Sequence, residues 1–336
     1  MTRSPSPEHV QPRSGRNQRG RVRRYRSGGL LLWITIGLLA ASVAGFAGGT
    51  GRAGWALDLL GQVRPHYALA FVVLTAVHLV RRRWGTAALA AAGVALNAAV
   101  ILPLLTGDSA PAGAPELTVL SLNVKIRQAD PAAVAAYLRQ TDVDLVFFFA
   151  VVDPWLEALM AAGVPQELVV SRGGRGSLEI AVLSRDPEVA TTVHDWDDNP
   201  RSMAAEVVVQ TDSGPIRVLG THPLSPRSPG NAAQRDRQLA RVASWAAEQT
   251  DAVLVVGDLN ATPWSHAFRM LIDDGGLVNS LAGAGLQPSW PARLGPLGIP
   301  IDHALHSPDL VTIRRERGPS FGSEHRSVLV TVARAR

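Results

Sequence analysis

The chain has 336 residues, of which 46% are hydrophobic, and its mean hydropathy of +0.10 is high for a purely soluble protein. It contains no cysteine, which excludes disulfides and thiolate metal sites and is compatible with any compartment. The formal net charge of +5 is unevenly distributed, because from Trp84 onward 20 basic residues face 26 acidic ones, a net charge of −6. An acidic domain holds a long polyanion poorly, so nucleic acid is not expected as a partner.

The first segment, residues 1–28, is strongly basic. It contains eight arginines and a single acidic residue, Glu8. Positively charged segments stay on the cytoplasmic side of a membrane, where they attract anionic lipid headgroups. We therefore expect a cytoplasmic tail that contacts membrane lipids.

Residues 29–105 are predicted to form a membrane domain with three transmembrane helices. Leu30–Gly48 and Ala87–Leu105 are nearly free of charge and long enough to span a bilayer. The middle segment is shorter, but Pro65 suits the start of a helix and extends it to about Arg64–Val80. The alternative for this middle segment is a re-entrant or interfacial hairpin.

The arginines between the apolar segments set the predicted orientation. Three arginines, Arg81–Arg83, separate the second and third segments, whereas the first loop carries two arginines and one acid. The tail and the Arg81–Arg83 loop should therefore be cytoplasmic. Three crossings then place everything after about Leu105 outside, in a multi-pass plasma-membrane protein with an extracytoplasmic C-terminal domain. No small-residue cleavage site closes the first apolar segment, which argues against a signal peptide.

A linker rich in Gly, Pro, Ala and Ser, residues 106–116, leads to a predicted domain of residues 117–336. Many short strands with few helices are typical of an α/β (α+β) sandwich with a core of two packed sheets. The predicted strands are Leu117–Asn123, Leu145–Val152, Glu179–Ser184, Ala204–Gln210, Ile216–His222, Ala252–Gly257, Asp302–His306 and Ser327–Ala333. The predicted helices are Pro131–Arg139 and Gln234–Glu248.

The turn Gly257–Asn260 is the most informative motif. It follows a buried strand, Val253–Val256, and it places Asp258 and Asn260 on the same face at the strand's carboxyl end. A carboxylate beside an amide oxygen suits a hard cation such as Mg²⁺ and a nearby phosphate oxygen. The alternative interpretation is a simple strand-to-turn junction, in which Gly, Asp and Asn are common.

Polar residues recur at the ends of the other predicted strands. Each such group alone is more typical of a capped turn or a structural histidine, but the whole set, rich in Asp, Asn, Glu and His, indicates a metal-assisted hydrolase site. The groups are Asn123, Thr221-His222-Pro223, Asp302-His303 and Ser323-Glu324-His325.

In this order, the motifs resemble the endonuclease/exonuclease/phosphatase superfamily, whose members include pancreatic-type DNases, abasic-site endonucleases, inositol-polyphosphate 5-phosphatases and sphingomyelinases. The resemblance implies a four-layer sandwich of two packed mixed β-sheets flanked by helices. An apolar anchor with an external domain is similar to the teicoplanin-resistance membrane proteins of actinomycetes. The matching motifs are LSLNV (Leu120–Val124), AVLSR (Ala181–Arg185), GTHPLSP (Gly220–Pro226), GDLNATPWS (Gly257–Ser265), IDHAL (Ile301–Leu305) and GSEHRSVLV (Gly322–Val330).

The resemblance also implies residue roles. His325 would be the general base for the attacking water, and Asp302 would hold its tautomer. Asp258 and Asn260 would bind phosphate and position the nucleophile, and His222 would donate to the scissile phosphate or the leaving oxygen. The implied cofactor is Mg²⁺ or Mn²⁺, with Glu324 and Asn123 as metal ligands. Beyond these family residues, Arg201 and Arg227 are candidates for clamping the phosphate.

One departure from the family pattern is serious. The family's second strand ends in a Gln-Glu pair whose Glu is the principal metal ligand, but this chain has Phe149 and Ala150 there. Three hypotheses follow. Either the site retains weak activity by binding metal through Glu324, Asn123 and substrate oxygens, or Glu179 replaces the missing carboxylate, or the domain is a pseudoenzyme that only binds phosphate.

The expected function is therefore that of a membrane-anchored, extracytoplasmic phosphoesterase with a degenerate metal site. Its substrate would be a phosphodiester, phosphomonoester or pyrophosphate, with a lipid-linked phosphate of the envelope as the leading class. Tethering to the membrane raises the effective concentration of such a substrate. The alternatives are a non-catalytic phosphate-binding module of the envelope and an external endonuclease.

Overall fold

The computed structural model of the protein describes residues 18–107, 113–172, 180–196 and 203–336. Its N-terminal part is helical and its C-terminal part is built from two β-sheets. The N-terminal helices are α1 (Gln18–Ala44), α2 (Gly51–Gly61), α3 (Arg64–Val80) and α4 (Trp84–Leu105).

Within the residues that the structure describes, two helical stretches are long and apolar enough to cross a membrane, Gly29–Ala47 and Trp84–Leu105. Helices α2 and α3 pass the same test only as a pair, and they are bent by 54° at the break between them. The predicted bounds of the middle helix agree with those of α3. The expected third crossing is not shown, since the structure provides two candidate spans and one bent pair.

The C-terminal part contains two six-stranded sheets with mixed strand directions. The first has the strand order β11-β12-β1-β2-β4-β3 and the second β5-β6-β7-β8-β10-β9. The strands are β1 (Leu117–Ile126), β2 (Leu145–Val151), β3 (Glu167–Arg172), β4 (Ile180–Ser184), β5 (Ala190–Asp195), β6 (Met203–Val209), β7 (Ile216–Thr221), β8 (Ala252–Asp258), β9 (Val278–Asn279), β10 (Asp302–His306), β11 (Leu310–Arg317) and β12 (Val328–Arg334). The helices are α5 (Pro131–Gln140), α6 (Asp153–Ala161), α7 (Pro229–Glu248) and α8 (His266–Gly275).

The two sheets pack face to face because both present apolar side chains to the space between them. Val119 and Phe147 of the first sheet and Val218 and Val256 of the second belong to one buried cluster. Gly220 permits this close packing, since a Cβ there would collide with the Phe147 ring. Helices α5 and α6 cover the outer face of the first sheet, and α7 and α8 cover that of the second. The predicted sandwich of two packed mixed sheets with flanking helices is confirmed.

Four strands and two helices of the domain were not predicted. The strands β3, β5, β9 and β11 all lie at the edges of the sheets. Most side chains of β3 and β5 are exposed, so these strands lack the apolar run that identifies a buried strand. Helix α7 begins earlier than predicted, because the Ser228 hydroxyl caps it and Pro229 suits its first position.

Strand directions bring the predicted site motifs to one edge of the sandwich. β1 is parallel to β2 and β7 is parallel to β8, so the carboxyl ends of each pair lie together. Antiparallel β10 begins at this edge, and its Asp302 pairs directly with Asp258. Gly257 has a φ of +152°, and a Cβ there would collide with the Thr221 carbonyl oxygen. The close approach of β7 and β8 therefore requires glycine at the start of the GDLN motif.

Candidate active site

Three buried side chains form the centre of the candidate site. His325 Nδ1 lies 3.1 Å from Asp302 Oδ2 and 3.7 Å from Asp258 Oδ2. All three residues are at most 3% exposed. This burial holds the imidazole between two carboxylates, an arrangement suited to general acid–base chemistry.

Two serines position this centre. The Ser289 hydroxyl accepts a hydrogen bond from the backbone N–H of Asp302 at 3.1 Å. The Ser323 hydroxyl accepts from the backbone N–H of His325 at 3.1 Å and donates to the carbonyl oxygen of Asn123 at 2.7 Å. The loop that carries His325 is thereby tied to the carboxyl end of β1. Neither serine was assigned a role from the sequence.

Asp258 is surrounded by donors. Asn123 Nδ2 donates to Asp258 Oδ2 at 2.9 Å, and His222 Nε2 lies 3.4 Å from the same oxygen. The backbone N–H of Asn260 donates to Asp258 Oδ1 at 3.1 Å. The structure thus brings five predicted site residues into one cluster: Asn123, His222, Asp258, Asn260 and His325. Asp302 is the sixth member of this cluster, bonded to His325.

The electrostatics follow from this burial and pairing. Burial alone would lower the pKa of His325, but the charges of Asp302 and Asp258 outweigh it and raise that pKa to about 9. Burial opposes ionisation of Asp258, yet His325, His222 and the Asn123 amide together lower its pKa. Burial raises the pKa of Asp302, against the attraction of His325. The neutral imidazole of His325 is therefore a strong base.

Asn260 is held at the rim of this cluster by its backbone. Its φ is +49°, a left-handed conformation that Asn adopts more readily than most residues. Its Nδ2 donates to the Pro223 carbonyl oxygen at 3.0 Å, and its own carbonyl oxygen accepts from Arg235 Nη1 at 3.0 Å. Arg235 is buried and was not predicted from the sequence.

A pocket of about 620 Å³ opens beside the cluster. Among the described residues that line it, Asp258 is the only carboxylate, the cationic side chains are Lys125 and Arg227, and the histidines are His222 and His325. The remaining lining residues are Leu59, Gln62, Asn123, Ile126, Ala150, Pro223, Leu224, Ser225, Pro226, Asn260, Trp290, Ile299 and Ile301.

The other predicted residues are placed less centrally. Arg227 is exposed at the pocket, whereas the Glu324 side chain is 46% exposed and pairs with Lys125 at 3.3 Å. Glu179 and Arg201 lie outside the described residues. Phe149 is fully buried in the core between the sheets, so Ala150 rather than Phe149 borders the pocket.

The N-terminal helices supply one wall of the pocket, which the sequence did not predict. Leu59 of α2 and Gln62, directly after α2, both line it. Asp58, 4% exposed, accepts from the backbone N–H of His266 at 2.9 Å, and Gln62 Oε1 accepts from that of Thr262 at 3.2 Å. A signal was present, because Asp58 is the only acidic residue between positions 9 and 107. A lone carboxylate in an apolar region is a functional candidate.

Asp258, Asp302 and His325 could together hold a metal ion, because each offers a ligand atom and these atoms lie within 4.8 Å of one another. Carboxylate and imidazole are ligand types that divalent cations use. At the position that the sequence resemblance assigns to the principal metal ligand, however, Ala150 presents only a methyl group. Asp258, Asp302 and His325 therefore fit a cation within the buried cluster, whereas Ala150 near the end of β2 offers a cation no ligand atom.

The two-sheet sandwich and the buried His325–Asp302 pair beside an open pocket match the arrangement that the motifs indicated. The Endonuclease/Exonuclease/phosphatase family profile matches residues 120–325, more than half of the chain. The chain therefore belongs to this family, whose members are usually hydrolases acting on phosphoesters.

Solved structures agree in fold. An endonuclease/exonuclease/phosphatase from Bacteroides vulgatus is 13% identical, with a TM-score of 0.54 over 65% of this chain and 99% of that one. The corresponding protein from Beutenbergia cavernae DSM 12333 is 20% identical, with a TM-score of 0.53 over 66% and 72%. A D. rerio TDP2 humanized by 14 mutations is 16% identical, with a TM-score of 0.52 over 65% and 98%. No curated protein matches the chain.

Proposed function

We propose that the protein is a membrane-anchored, extracytoplasmic phosphoesterase whose substrate is a lipid-linked phosphate or pyrophosphate of the cell envelope. The pocket carries the proposal, because it is lined both by the reactive residues Asp258 and His325 and by Leu59 and Gln62 from the helical region. A substrate in this pocket would touch the catalytic domain and the membrane anchor at once.

His325 is the proposed general base. Its Nδ1 faces Asp302, so Nε2 is the nitrogen that can take a proton from a water molecule in the pocket. The water oxygen bonds to phosphorus while the bond from phosphorus to the leaving oxygen breaks. His222 donates a hydrogen bond to the leaving oxygen, which takes its proton from solvent, and His325 then releases its proton to solvent. Asn123 and Asn260 orient Asp258 and the bound phosphate.

The docking of α2 supports a substrate that arrives from the bilayer. Trp55 Nε1 donates to the Pro226 carbonyl oxygen at 2.9 Å, which joins α2 to the loop after β7. At the end of α4, Leu104 is buried against Trp264 and Leu281 of the catalytic domain. Both contacts hold the domain against the ends of apolar helices. Apolar pocket residues such as Leu59 and Ile299 suit the first carbons of a lipid chain.

The orientation and the anchor belong to the same proposal. The arginine-rich tail and the Arg81–Arg83 loop support a cytoplasmic N-terminus, and α3 (Arg64–Val80) is proposed as the middle membrane crossing, with α2 outside the membrane where it contacts the C-terminal domain. The similarity of the anchor to actinomycete teicoplanin-resistance proteins supports an envelope substrate. The net charge of −6 from Trp84 onward argues against DNA as the substrate.

The proposal is tested with the full-length protein by phosphate release from a polyprenyl pyrophosphate in vesicles and by strand cleavage of plasmid DNA. We expect release from the lipid and little cleavage of DNA. Faster cleavage of DNA would favour the external endonuclease, and no turnover of either would favour a phosphate-binding pseudoenzyme. In intact cells, external protease should cleave the C-terminal domain, and full protection would contradict the orientation.

The activity should rise with pH. A general base must lose its proton before it can act, and the pKa of His325 is raised to about 9 by its two carboxylate neighbours. The rate should therefore increase about tenfold per pH unit below pH 9 and level off above it. The measurement is kcat/KM between pH 6 and 10 on a single substrate, since this ratio reports the pKa of the free enzyme. A flat profile from pH 6 to 9 would contradict the role of His325 as base.

A further inference from the structure

The strand position at which the family carries its principal metal ligand has no carboxylate in this protein. Ala150, near the end of β2, borders the pocket with a methyl group. Asn123, on the neighbouring strand, uses both ends of its amide. Its Oδ1 accepts from the Lys125 backbone N–H at 2.9 Å, and its Nδ2 donates to Asp258. Protein sites for Mg²⁺ usually provide one or two carboxylates, and this position provides none.

The carboxylate of Glu324, next to His325 in the chain, already has a cationic partner. Glu324 lies 3.3 Å from Lys125 Nζ, and the Lys125 hydrogen bond and charge lower the pKa of Glu324. Its backbone N–H bonds to Gln128 Oε1, which fixes it at the outer edge of the site. Glu324 therefore stays ionised as the partner of a lysine.

Lys125 stands next to Ala150. Asn123 pairs with Phe149 and Ile126 pairs with Val151, so Val124 and Lys125 of β1 lie across from the single residue Ala150 of β2. Both residues line the pocket, and both have a φ of +52°. The charge of Lys125 also reaches His325, where it opposes the effect of the carboxylates on the imidazole. Lys125 is the only lysine among 33 basic Lys and Arg residues.

We infer that the Lys125 ammonium group takes the place of a divalent cation at this position and binds a non-bridging oxygen of the substrate phosphate. The inference rests on the proposed function of the same pocket. An ammonium group is a compact point charge with three donors, so it can hold one phosphate oxygen as a metal ion would. Lys125 neutralises charge on the phosphate, while Glu324 holds its side chain at the pocket edge.

A measurement of phosphate binding without metal distinguishes binding by the Lys125 ammonium group from binding by a metal ion. The full-length protein in detergent is freed of metals with EDTA, and its binding of inorganic phosphate is followed by phosphorus NMR line broadening. Wild type should bind phosphate in EDTA, and Lys125→Met should weaken this binding at least about tenfold. Arg127→Met is the matched control. It removes the same charge from an exposed neighbour that does not line the pocket, and it should change the affinity less than about twofold.

A second variant exchanges the two kinds of cation. The double variant Ala150→Glu with Lys125→Met restores the carboxylate and removes the ammonium group, so its phosphate binding should now require Mg²⁺. If Lys125→Met does not fold, as judged by thermal unfolding, Lys125→Gln and Lys125→Arg replace it, and only the arginine variant should retain binding.

The inference is overturned if wild-type protein binds phosphate only with Mg²⁺ and Lys125→Met leaves that binding unchanged. Other outcomes would contradict the proposed function without contradicting this inference. If phosphate binding depends on Lys125 but no phosphoester is hydrolysed, the inference stands and the hydrolase proposal does not. If His325→Asn abolishes hydrolysis while EDTA also abolishes it and Lys125→Met does not, the hydrolase stands and the Lys125 inference falls.

Discussion

Replacement of His325 by asparagine is expected to lower kcat by about 10³-fold on a lipid pyrophosphate, since general acid–base catalysis contributes about 10²–10⁴-fold. Asparagine is close in size and polar, but it cannot take a proton from water. Asp302→Asn should also reduce kcat, because the imidazole then loses the carboxylate that holds its Nδ1 at 3.1 Å. The measurement is steady-state phosphate release by the full-length protein in vesicles.

His306→Asn is the matched control for this variant. His306 is also buried and lies at the other end of β10 from Asp302, where its Nδ1 contacts the Ser307 carbonyl oxygen outside the pocket. It should keep kcat within about threefold of wild type, since substitutions away from reacting groups act mainly on stability. Thermal unfolding of both variants shows whether they fold. Equal turnover by folded His325→Asn and by wild type would contradict the assignment of His325.

Replacement of Asp58 by alanine should lower kcat/KM for a lipid substrate by about tenfold to a hundredfold, because each buried donor left without an acceptor costs about 1–3 kcal/mol. Asp58 accepts from the His266 backbone and from Gln62 Nε2, and it lies 3.6 Å from Arg235. Without it, the pocket wall formed by Leu59 and Gln62 should detach from the catalytic domain.

A small soluble substrate separates this wall effect from damage to the catalytic centre. Turnover of bis(p-nitrophenyl) phosphate does not need a lipid-binding wall, so Asp58→Ala should raise KM for the lipid more than it lowers kcat for the soluble ester. Arg52→Ala, on an exposed position of the same helix, is the matched control and should behave as wild type. An Asp58→Ala variant with wild-type kcat/KM on the lipid would show that α2 plays no part in the site.

The sequence was most informative where chemistry and strand structure coincide. The apolar run of β8 followed by Gly257 and Asp258 predicted a strand end with a carboxylate, and the structure places that carboxylate beside Asn123 and His325. Buried strands carry long apolar runs that a single sequence reveals, so the central strands were found. Exposed edge strands such as β5 carry no such pattern and were missed.

The contacts between distant segments could not be predicted from the sequence. Nothing local to Asp58 indicates that its partners are His266 and Arg235, because those contacts depend on how α2 docks against α7 and α8. Likewise, Glu324 matched a metal-ligand position, but its pairing with Lys125 depends on the irregular end of β1. The sequence shows that Ala150 stands where the family has a carboxylate, but only the fold shows that the Lys125 side chain lies beside it.

The central claim is that water attacks a phosphoester in the pocket beside His325. The most direct test is turnover of the lipid pyrophosphate in water labelled with oxygen-18, followed by mass analysis of the phosphate released. Wild-type protein should release phosphate that carries one labelled oxygen from water, and His325→Asn should release almost none. Label in neither the released phosphate nor the remaining lipid phosphate of the wild-type reaction, or labelled product at the same rate from His325→Asn, would contradict the account.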